Sequence, residues 1–275
     1  VWLYAPPDLG WDAGEIVRAL GDRGHSSGDV DALARELARR LRPGDHALIM
    51  SNGGFGGLHA KLLAELSRGC RMTSSNDKRI TVGLTGASGA QYGLRLVECL
   101  VKADYQVLVM FTKAAQIVVG SETDCRLPGR TAEQTRYLSS LYGARDGQLR
   151  VYGDEEWTSP VASGSGAPRR MAVCPASMAT VSAIACGASE NLLERAADVV
   201  IKERGNLVIV PRETPFSPIH LENMLKLSRL GVTILPANPG FYNRPTQVEA
   251  MVDFIVARVL DQFGIANDLM ARWGV

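Results

Sequence analysis

The chain has 275 residues, of which 46% are hydrophobic and 21% are charged, and its formal net charge is +1. This length and apolar content allow one large domain or two ordinary ones, with a sizeable core. The balanced charge argues against a nucleic-acid-binding surface, and no apolar run reaches the roughly eighteen residues that a membrane-spanning helix needs.

The cysteines and the first residues of the chain indicate the cellular compartment in which the protein works. Five cysteines are scattered along the chain without CxxC spacing, which argues for reduced thiols, a cytoplasmic location and no structural zinc site. The four histidines are equally dispersed, so the sequence predicts no metal centre. The opening residues, VWLYAPPDLGWD, lack the basic segment of a secretion signal.

Residues 1–69 predict two strand–helix alternations. Short apolar runs occur at 1–4 and 46–50, and the second is predicted to be a strand. Helical periodicity covers 33–41 and 58–66, and the glycine-rich sequence GGFGG precedes the second of these helices. Because the chain begins with Val inside a predicted element, we expect this segment to be the tail of something longer.

The polar, turn-rich residues 70–78 predict a linker, and a second domain is expected from residue 79 to 275. Strand–helix alternation in this domain predicts an α/β fold with a parallel sheet covered by helices on both faces. The predicted strands are 80–84, 106–111, 171–175, 207–210 and 232–235. The predicted helices are 89–103, 113–119, 131–142, 181–186, 191–203, 220–230 and 247–263.

The second domain opens on a strand, a glycine turn and an amphipathic helix that follow one another without a gap. The sequence RITVGLTGASGAQYGLRLVECL covers residues 79–100. A helix that begins at such a turn presents free N–H groups and the positive end of its dipole. We therefore predict that a phosphate docks on the amides beginning the helix after Ser88.

The glycine spacing and the next strand favour a mononucleotide. Gly86, Gly89 and Gly93 do not match the GxGxxG of dinucleotide enzymes. The second strand ends in Thr112 and Lys113 rather than in the acidic residue that holds the ribose of NAD. A hydroxyl and a cation suit a terminal phosphate, so FMN is favoured over NAD. An ordinary tight turn without a ligand remains the alternative.

Other polar clusters also follow predicted strands. Ser177 and Thr180 follow AVCPA, Arg212 and Glu213 follow LVIVP, and the run 239–242 (PGFY) follows ILPAN. Because the carboxyl ends of parallel strands share one edge of a sheet, these loops predict a convergent ligand site. Each of them could instead be a solvated loop.

The N-terminal segment resembles the end of a known enzyme. The run GDHALIMSNGGFGGLHAKLL is similar to the C-terminal end of the bacterial murein peptide ligase, a Mur-ligase relative. The chain contains no GxxxxGK[ST] phosphate loop, so ligase activity is not expected. GGFGG is interpreted as a backbone turn rather than a phosphate loop.

The segment from Arg79 to Gly274 resembles the UbiX-type flavin prenyltransferases. The resemblance rests on TGASGAQYGLRL, SETD, ASGS, NLLERAADVVIKER, VPRETPFSPIHLENML and LPANPGFYNRP. It implies a three-layer Rossmann- or flavodoxin-like domain and a metal-independent enzyme. Such enzymes join the dimethylallyl group of dimethylallyl phosphate to N5 and C6 of reduced FMN. It further implies a homododecamer and delivery of prenylated FMN to a UbiD-type decarboxylase.

The resemblance also implies the site residues. Those expected to hold FMN are Gly86, Ala87, Ser88, Thr112, Ser177, Met178, Ala179, Thr180 and Arg212. Those expected to hold the prenyl phosphate are Lys202, Arg212, Tyr242 and Arg258, with Ser88 and Arg195 nearby. Glu122 and Glu213 are the expected acid and base, and Trp157 and Trp273 are expected to wall the prenyl group. The chain departs from the family at 176–179, ASMA instead of the commoner CSTG, which removes one hydroxyl.

Two other functions remain open from the sequence. One is an FMN-dependent cysteine decarboxylase of the same superfamily, although its Pro-x-Met-Asn segment is replaced here by PANP at 236–239. The other is a non-enzymatic flavin-binding module. Read locally, Lys202 is also a solvated helix-end charge, Arg258 could pair with Asp253 or Asp261, and His220 is a helix-start residue satisfied by backbone contacts rather than a base.

Overall fold

The computed structural model describes residues 1–6, 12–41, 45–50, 55–74, 78–242, 244–271 and 274. The chain divides into two compact units, Val1–Asn76 and Asp77–Val275. No helix among the described residues is long and apolar enough to cross a membrane.

The first unit is a small parallel α/β arrangement. Strands β1 (Trp2–Tyr4) and β2 (His25–Ser27) pair in parallel. Asp12 and Asp29 accept hydrogen bonds from first-turn amides of α1 (Ala13–Leu20) and α2 (Val30–Arg40), which is the usual way that a helix N-terminus is satisfied. The core of the unit is made by Val30, Leu33, Ala34 and Leu58.

Two predictions for this unit are wrong. Residues 46–50 do not form a strand, and Leu48 and Met50 are 84% and 77% exposed, because the β1–β2 sheet does not extend to them. Helix α3 spans Leu58–Ser74 rather than ending at residue 66, so the first part of the predicted linker is helical. Polar residues alone do not end a helix when no proline interrupts it. Of the predicted glycine turn, residues 53 and 54 lie outside the described residues.

The second unit is built on a six-stranded parallel sheet in the order β5-β4-β3-β6-β7-β8. Its strands are β3 (Arg79–Leu84), β4 (Gln106–Phe111), β5 (Leu149–Tyr152), β6 (Arg170–Ala176), β7 (Asn206–Pro211) and β8 (Thr233–Ile234). The chain winds outward from β3 in one direction and from β6 in the other. The crevice beyond the carboxyl ends of β3 and β6 is therefore the switch point at which such sheets bind ligands.

Helices cover both faces of this sheet, as predicted. They are α4 (Ala90–Lys102), α5 (Lys113–Glu122), α6 (Thr131–Tyr142), α7 (Met178–Cys186), α8 (Leu192–Lys202), α9 (Pro218–Arg229) and α10 (Val248–Gln262). One buried core lies between the sheet and α4, α5, α6 and α10, and a second lies between the sheet and α7, α8 and α9. The three-layer α/β architecture is confirmed.

The close approach of α4 to the sheet leaves no room for a side chain at Gly93. A Cβ at Gly93 would lie 2.3 Å from the carbonyl oxygen of Cys174 and 2.5 Å from Cδ2 of Leu84, whereas a Cβ at Gly120 in α5 would meet nothing within 4 Å. We expect Gly93→Ala to lower the free energy of unfolding by about 3 kcal/mol through overpacking. Gly120→Ala is the matched control and should raise it by about 0.5–1 kcal/mol. Equal responses in urea unfolding would contradict this packing.

Candidate active site at the carboxyl edge of the sheet

The turn between β3 and α4 is fastened to the ends of both neighbouring strands. The buried Thr85 hydroxyl donates to the carbonyl oxygen of Pro175 at 2.9 Å and accepts from the amide of Ser177 at 2.7 Å. On the other side, the Thr112 amide donates to the Leu84 carbonyl at 3.0 Å. The loops after β3, β4 and β6 therefore form one rigid rim.

Two glycines of this turn are required by its geometry. A Cβ at Gly86 would lie 2.5 Å from the Cβ of Ala114, in the first turn of α5. Gly89 has φ +101°, in the region that favours glycine, and a Cβ there would lie 2.7 Å from the Tyr92 ring. The turn is thus tightly packed against α5 and Tyr92, while Gly86 and Ser88 remain exposed to solvent.

The amides that begin α4 are bound by Glu122. Its Oε2 accepts from the amides of Gly89 at 2.7 Å and Ala90 at 3.2 Å, and the Ser88 hydroxyl is near enough to the carboxylate to affect its pKa. These are two of the amides at which a phosphate was predicted to dock, and in this structure they bind a carboxylate. The negative charge of this carboxylate, at the end of α5, complements the positive end of the α4 dipole.

Several partners keep Glu122 ionised. Burial acts to raise its pKa, but the Ser88 hydroxyl, the two amides and the positive charge of Arg212 together hold the pKa below the ordinary 4.5. Because the pKa is lowered on folding, the ionised carboxylate stabilises the fold at pH values above the ordinary pKa. This stabilisation is lost as the pH falls from the ordinary pKa through the lowered one.

We therefore expect a pH-dependent effect of Glu122→Gln. A neutral amide oxygen is a weaker acceptor than a carboxylate for the two N–H groups, so the variant should lose about 1–2 kcal/mol of unfolding free energy at pH 7. The difference from the unchanged protein should shrink as the pH falls below 4.5, because the unfolded chain binds the proton there first and the folded carboxylate follows only at its lower pKa. Glu249→Gln, at an exposed first-turn position of α10, is the control and should change little. A loss independent of pH would contradict the capping role.

The loop after β7 brings a cation and a carboxylate to the same turn. The Arg212 guanidinium donates through Nε to the Ser88 carbonyl at 3.1 Å, and its backbone amide donates to the Ala176 carbonyl at 3.2 Å. Glu213 follows directly, and its Oε1 accepts from the Thr214 amide at 3.1 Å. Ser88 and Arg212, which are 124 residues apart in the sequence, thus lie together, and Glu213 follows Arg212 in the same loop.

Hydroxyl groups line the remainder of the rim. Thr112 begins α5 and accepts from the Ala115 amide at 3.1 Å. Ser177 begins α7, where its hydroxyl lies 3.1 Å from that of Thr180. Met178 is buried in the core beneath this turn, whereas Ala179 is exposed.

Tyr92 is a site residue that the sequence reasoning assigned only to the helix core. Burial raises the pKa of its hydroxyl, Cys174 raises it further, and Arg212 opposes both. The phenol is therefore close enough to Arg212 to feel its charge. Its position three residues after Gly89 is the one signal in the sequence, because residues at this helical spacing share a face.

The sequence matches the Flavoprotein family over residues 70–260. The flavin prenyltransferase UbiX of Pseudomonas aeruginosa is 56% identical over 200 residues, which cover 73% of this chain and 96% of that protein. The flavin prenyltransferase UbiX of Halalkalibacterium halodurans is 51% identical, with 70% of this chain and 92% of that protein covered. The chain belongs to the UbiX-type flavin prenyltransferases.

Solved structures of UbiX-type proteins share the fold. A dodecameric FMN-dependent UbiX-like decarboxylase from Escherichia coli O157:H7 is 38% identical with a TM-score of 0.64, covering 72% of this chain and 100% of that one. AnUbiX (PadA1), in complex with FMN and dimethylallyl pyrophosphate, is 36% identical with a TM-score of 0.64, covering 72% and 97%. These matches support the UbiX-type assignment over the cysteine decarboxylase and the non-enzymatic module.

The rim of this flavin prenyltransferase fits a flavin mononucleotide. The hydroxyls of Ser88, Thr112, Ser177 and Thr180 and the Arg212 guanidinium are donors suited to a phosphate and to the polar edge of a flavin. The glycine turn leaves the backbone open to a flat ring, as described above. Within the described part of the chain there is no group of three or more side chains that could hold a metal ion.

Several residues that the resemblance implied are not brought to this rim within one chain. Lys202 ends α8 just before β7 begins, and it pairs with Glu203, whose carbonyl is bound by Arg169 at the start of β6. It therefore lies at the opposite edge of the sheet from Arg212. Because β7 is six residues long, the two edges are about 20 Å apart.

The other implied contacts have partners of their own within the chain or are exposed. Arg258 donates to Asp261 at 2.7 Å and lines a cavity of about 330 Å³ beside β8, and Arg195 donates to the Ala162 carbonyl and to Asp198. Tyr242 packs edge-on against Phe254 of α10, with ring centroids 5.8 Å apart. Trp157 follows the edge strand β5 and is 46% exposed. Trp273 lies outside the described residues.

Proposed function

We propose that the chain transfers the dimethylallyl group of dimethylallyl phosphate to N5 and C6 of reduced FMN, and that the rim after β3, β4, β6 and β7 is where this happens. One observation supports this location most strongly: Arg212 binds the Ser88 carbonyl at the glycine turn, and Glu213 is the next residue of the same loop.

FMN would be held by the rim residues. Those that offer hydroxyl, guanidinium or backbone contacts are Gly86, Ala87, Ser88, Thr112, Ser177, Met178, Ala179, Thr180 and Arg212. Because Glu122 already binds the first amides of α4, the flavin phosphate would rely on the hydroxyls of the rim. The reduced flavin supplies the nucleophilic N5 and C6; the protein orients the ring and keeps water away.

Breaking the allylic C–O bond leaves negative charge on the phosphate and positive charge on the allyl group. Fixed cations and a tyrosine hydroxyl stabilise the leaving phosphate without a metal. Arg212 is the cation at the rim, and Lys202, Arg258, Tyr242 and Arg195 are the remaining proposed phosphate contacts. Aromatic faces such as those of Trp157 and Trp273 stabilise the allyl cation by roughly 0.5–2 kcal/mol each.

Two carboxylates would handle protons. Glu213, next to Arg212, is proposed to protonate the leaving phosphate and to accept a proton later. Glu122 lies near the Ser88 hydroxyl and its partners lower its pKa, so it is proposed to receive the proton released near N5 through Ser88. Glu122 would then serve both as this proton acceptor and as the carboxylate that caps α4.

The site would be completed by other copies of the chain. Lys202 lies at the opposite edge of its own sheet from Arg212, so it can serve this reaction only on the rim of a neighbouring subunit. A dodecameric structure is described for the Escherichia coli UbiX-like relative. We propose a homododecamer in which adjacent subunits exchange these residues.

The product would be prenylated FMN, passed to a UbiD-type decarboxylase in the cytoplasm. The two units of the chain would correspond to a C-terminal Mur-ligase-like fragment (1–69), a connecting segment (70–78) and the prenyltransferase domain (79–275). The division into compact units after Asn76 supports this proposal.

Anaerobic incubation with reduced FMN and dimethylallyl phosphate tests the function. We expect a flavin heavier by one five-carbon prenyl unit, with an altered absorption spectrum, and no product when oxidised FMN replaces the reduced form. Recovery of unmodified FMN from the full reaction would overturn the proposal. Release of carbon dioxide from a cysteine-containing peptide would favour the decarboxylase instead.

A further inference from the structure

The loop between β7 and α9 carries both Arg212 and Glu213 and is fixed at two points. Its first residue donates an amide to the Ala176 carbonyl at 3.2 Å. Its far end joins α9, where Ser217 is the capping residue and Pro218 the first helical residue. The position of Glu213 therefore depends on how firmly α9 holds the end of the loop.

That end is held by a reciprocal pair of hydrogen bonds. The Ser217 hydroxyl accepts from the His220 amide at 3.3 Å, and Nδ1 of His220 accepts from the Ser217 amide at 3.2 Å. The His220 ring also packs at 90° against the ring of Phe216, with centroids 6.5 Å apart. His220 and Ser217 thus bind each other's backbone amides, and the His220 ring also contacts the side chain of Phe216 in the loop.

A histidine in this position is unusual. The third helical residue of such a capping box is ordinarily Glu or Gln. An imidazole whose Nδ1 accepts a hydrogen bond is neutral, because both nitrogens of the charged ring carry protons. It therefore closes the box without adding a second carboxylate beside the loop that carries Glu213 and is proposed to face a phosphate.

We infer that His220 is a positioning residue for flavin prenylation, which sets the place of the Arg212–Phe216 loop by closing the Ser217 capping box. The inference rests on the proposed function. It does not make His220 a base: its acceptor nitrogen is engaged by the Ser217 amide. A shift of the loop would displace Glu213 from its reacting partner, and displacements near 1 Å cost about 100-fold in rate.

Three variants test the inference in the full-length protein. His220→Ala removes the acceptor, His220→Gln restores it with an uncharged side chain, and Ser217→Ala removes the other half of the box. Met224→Ala is the control, because Met224 is buried in the same helix but takes no part in the box. The single-turnover rate of prenylated-flavin formation, the Kd for FMN and hydrogen exchange of the 212–217 backbone are measured for each.

We expect His220→Ala and Ser217→Ala to lower the rate about 10–100-fold and to speed exchange of the loop amides. The Kd for FMN should change less than about threefold, because the other rim residues still bind the flavin. His220→Gln should restore both the rate and the slow exchange of the loop amides. Met224→Ala should lower the melting temperature, but at assay temperatures well below that melting temperature its rate should be unchanged.

An unchanged rate and exchange in His220→Ala, or failure of His220→Gln to restore them, would overturn the inference. The exchange measurement separates it from the proposed function. If the unchanged protein makes no prenylated flavin, the proposed function fails and the catalytic part of the inference with it. Faster exchange in His220→Ala that is reversed in His220→Gln would still support the capping of the loop.

Discussion

Glu213→Gln is expected to lower the rate of flavin prenylation by about 10²–10⁴-fold, the range for loss of a positioned acid–base group. Glutamine keeps the shape of the side chain, and its amide oxygen can still accept from the Thr214 amide that now binds Oε1. It cannot donate and recover a proton at the leaving phosphate. Single-turnover rates measure the loss, and flavin fluorescence should show FMN bound about as tightly as before.

Glu222→Gln is the matched control for this change. Glu222 is exposed in α9, so its substitution removes the same charge from the same region without touching the loop. We expect its rate to stay within about twofold, as is usual for surface substitutions. If Glu213→Gln turned over as fast as Glu222→Gln, the acid–base role of Glu213 would be wrong.

Lys202→Ala is expected to have the second largest effect, although nothing near Lys202 in its own chain suggests catalysis. Its ammonium pairs with Glu203 at an exposed helix end, where water and salt screen the interaction and it contributes little to stability. If Lys202 binds the leaving phosphate on a neighbouring rim, its loss should lower the rate about 10²–10³-fold, as for other transition-state donors.

Lys102→Ala is the control for Lys202→Ala. Lys102 also ends a helix and pairs with a glutamate, Glu98, at 2.6 Å. Urea unfolding should show small and similar changes for both variants, whereas only Lys202→Ala should lose activity. Equal activities would remove Lys202 from the proposed site.

The sequence predicted much of this fold because the hydrophobic pattern and the turn residues agree in the second unit. Helix α6 has the predicted bounds, and β3 and β4 begin or end within one residue of them. Strand β5 was missed because it has four residues and includes the charged Arg150, whose guanidinium lies over the Tyr152 ring at 4.7 Å. An edge strand this short has too little periodicity to be recognised.

The candidate site was predictable only in part, for a physical reason. Loops that follow parallel strands must share an edge, so Ser88, Ser177 and Arg212 could be grouped from the order of elements alone. The capping of α4 by Glu122 could not be predicted, because the carboxylate reaches those amides from the end of another helix. The place of Lys202 at the far edge follows from its position before β7, and motif matching does not reveal it.

Mixed oligomers test most directly whether the site is shared between chains. Lys202→Ala retains Glu213, and Glu213→Gln retains Lys202, so both homo-oligomers should be nearly inactive. If each site combines residues of two copies, co-expression in equal amounts under different affinity tags should restore about a quarter of the unchanged protein's rate, since heterologous contacts pair copies at random. Mixed oligomers that remain as inactive as either parent would contradict a rim completed by a neighbouring subunit.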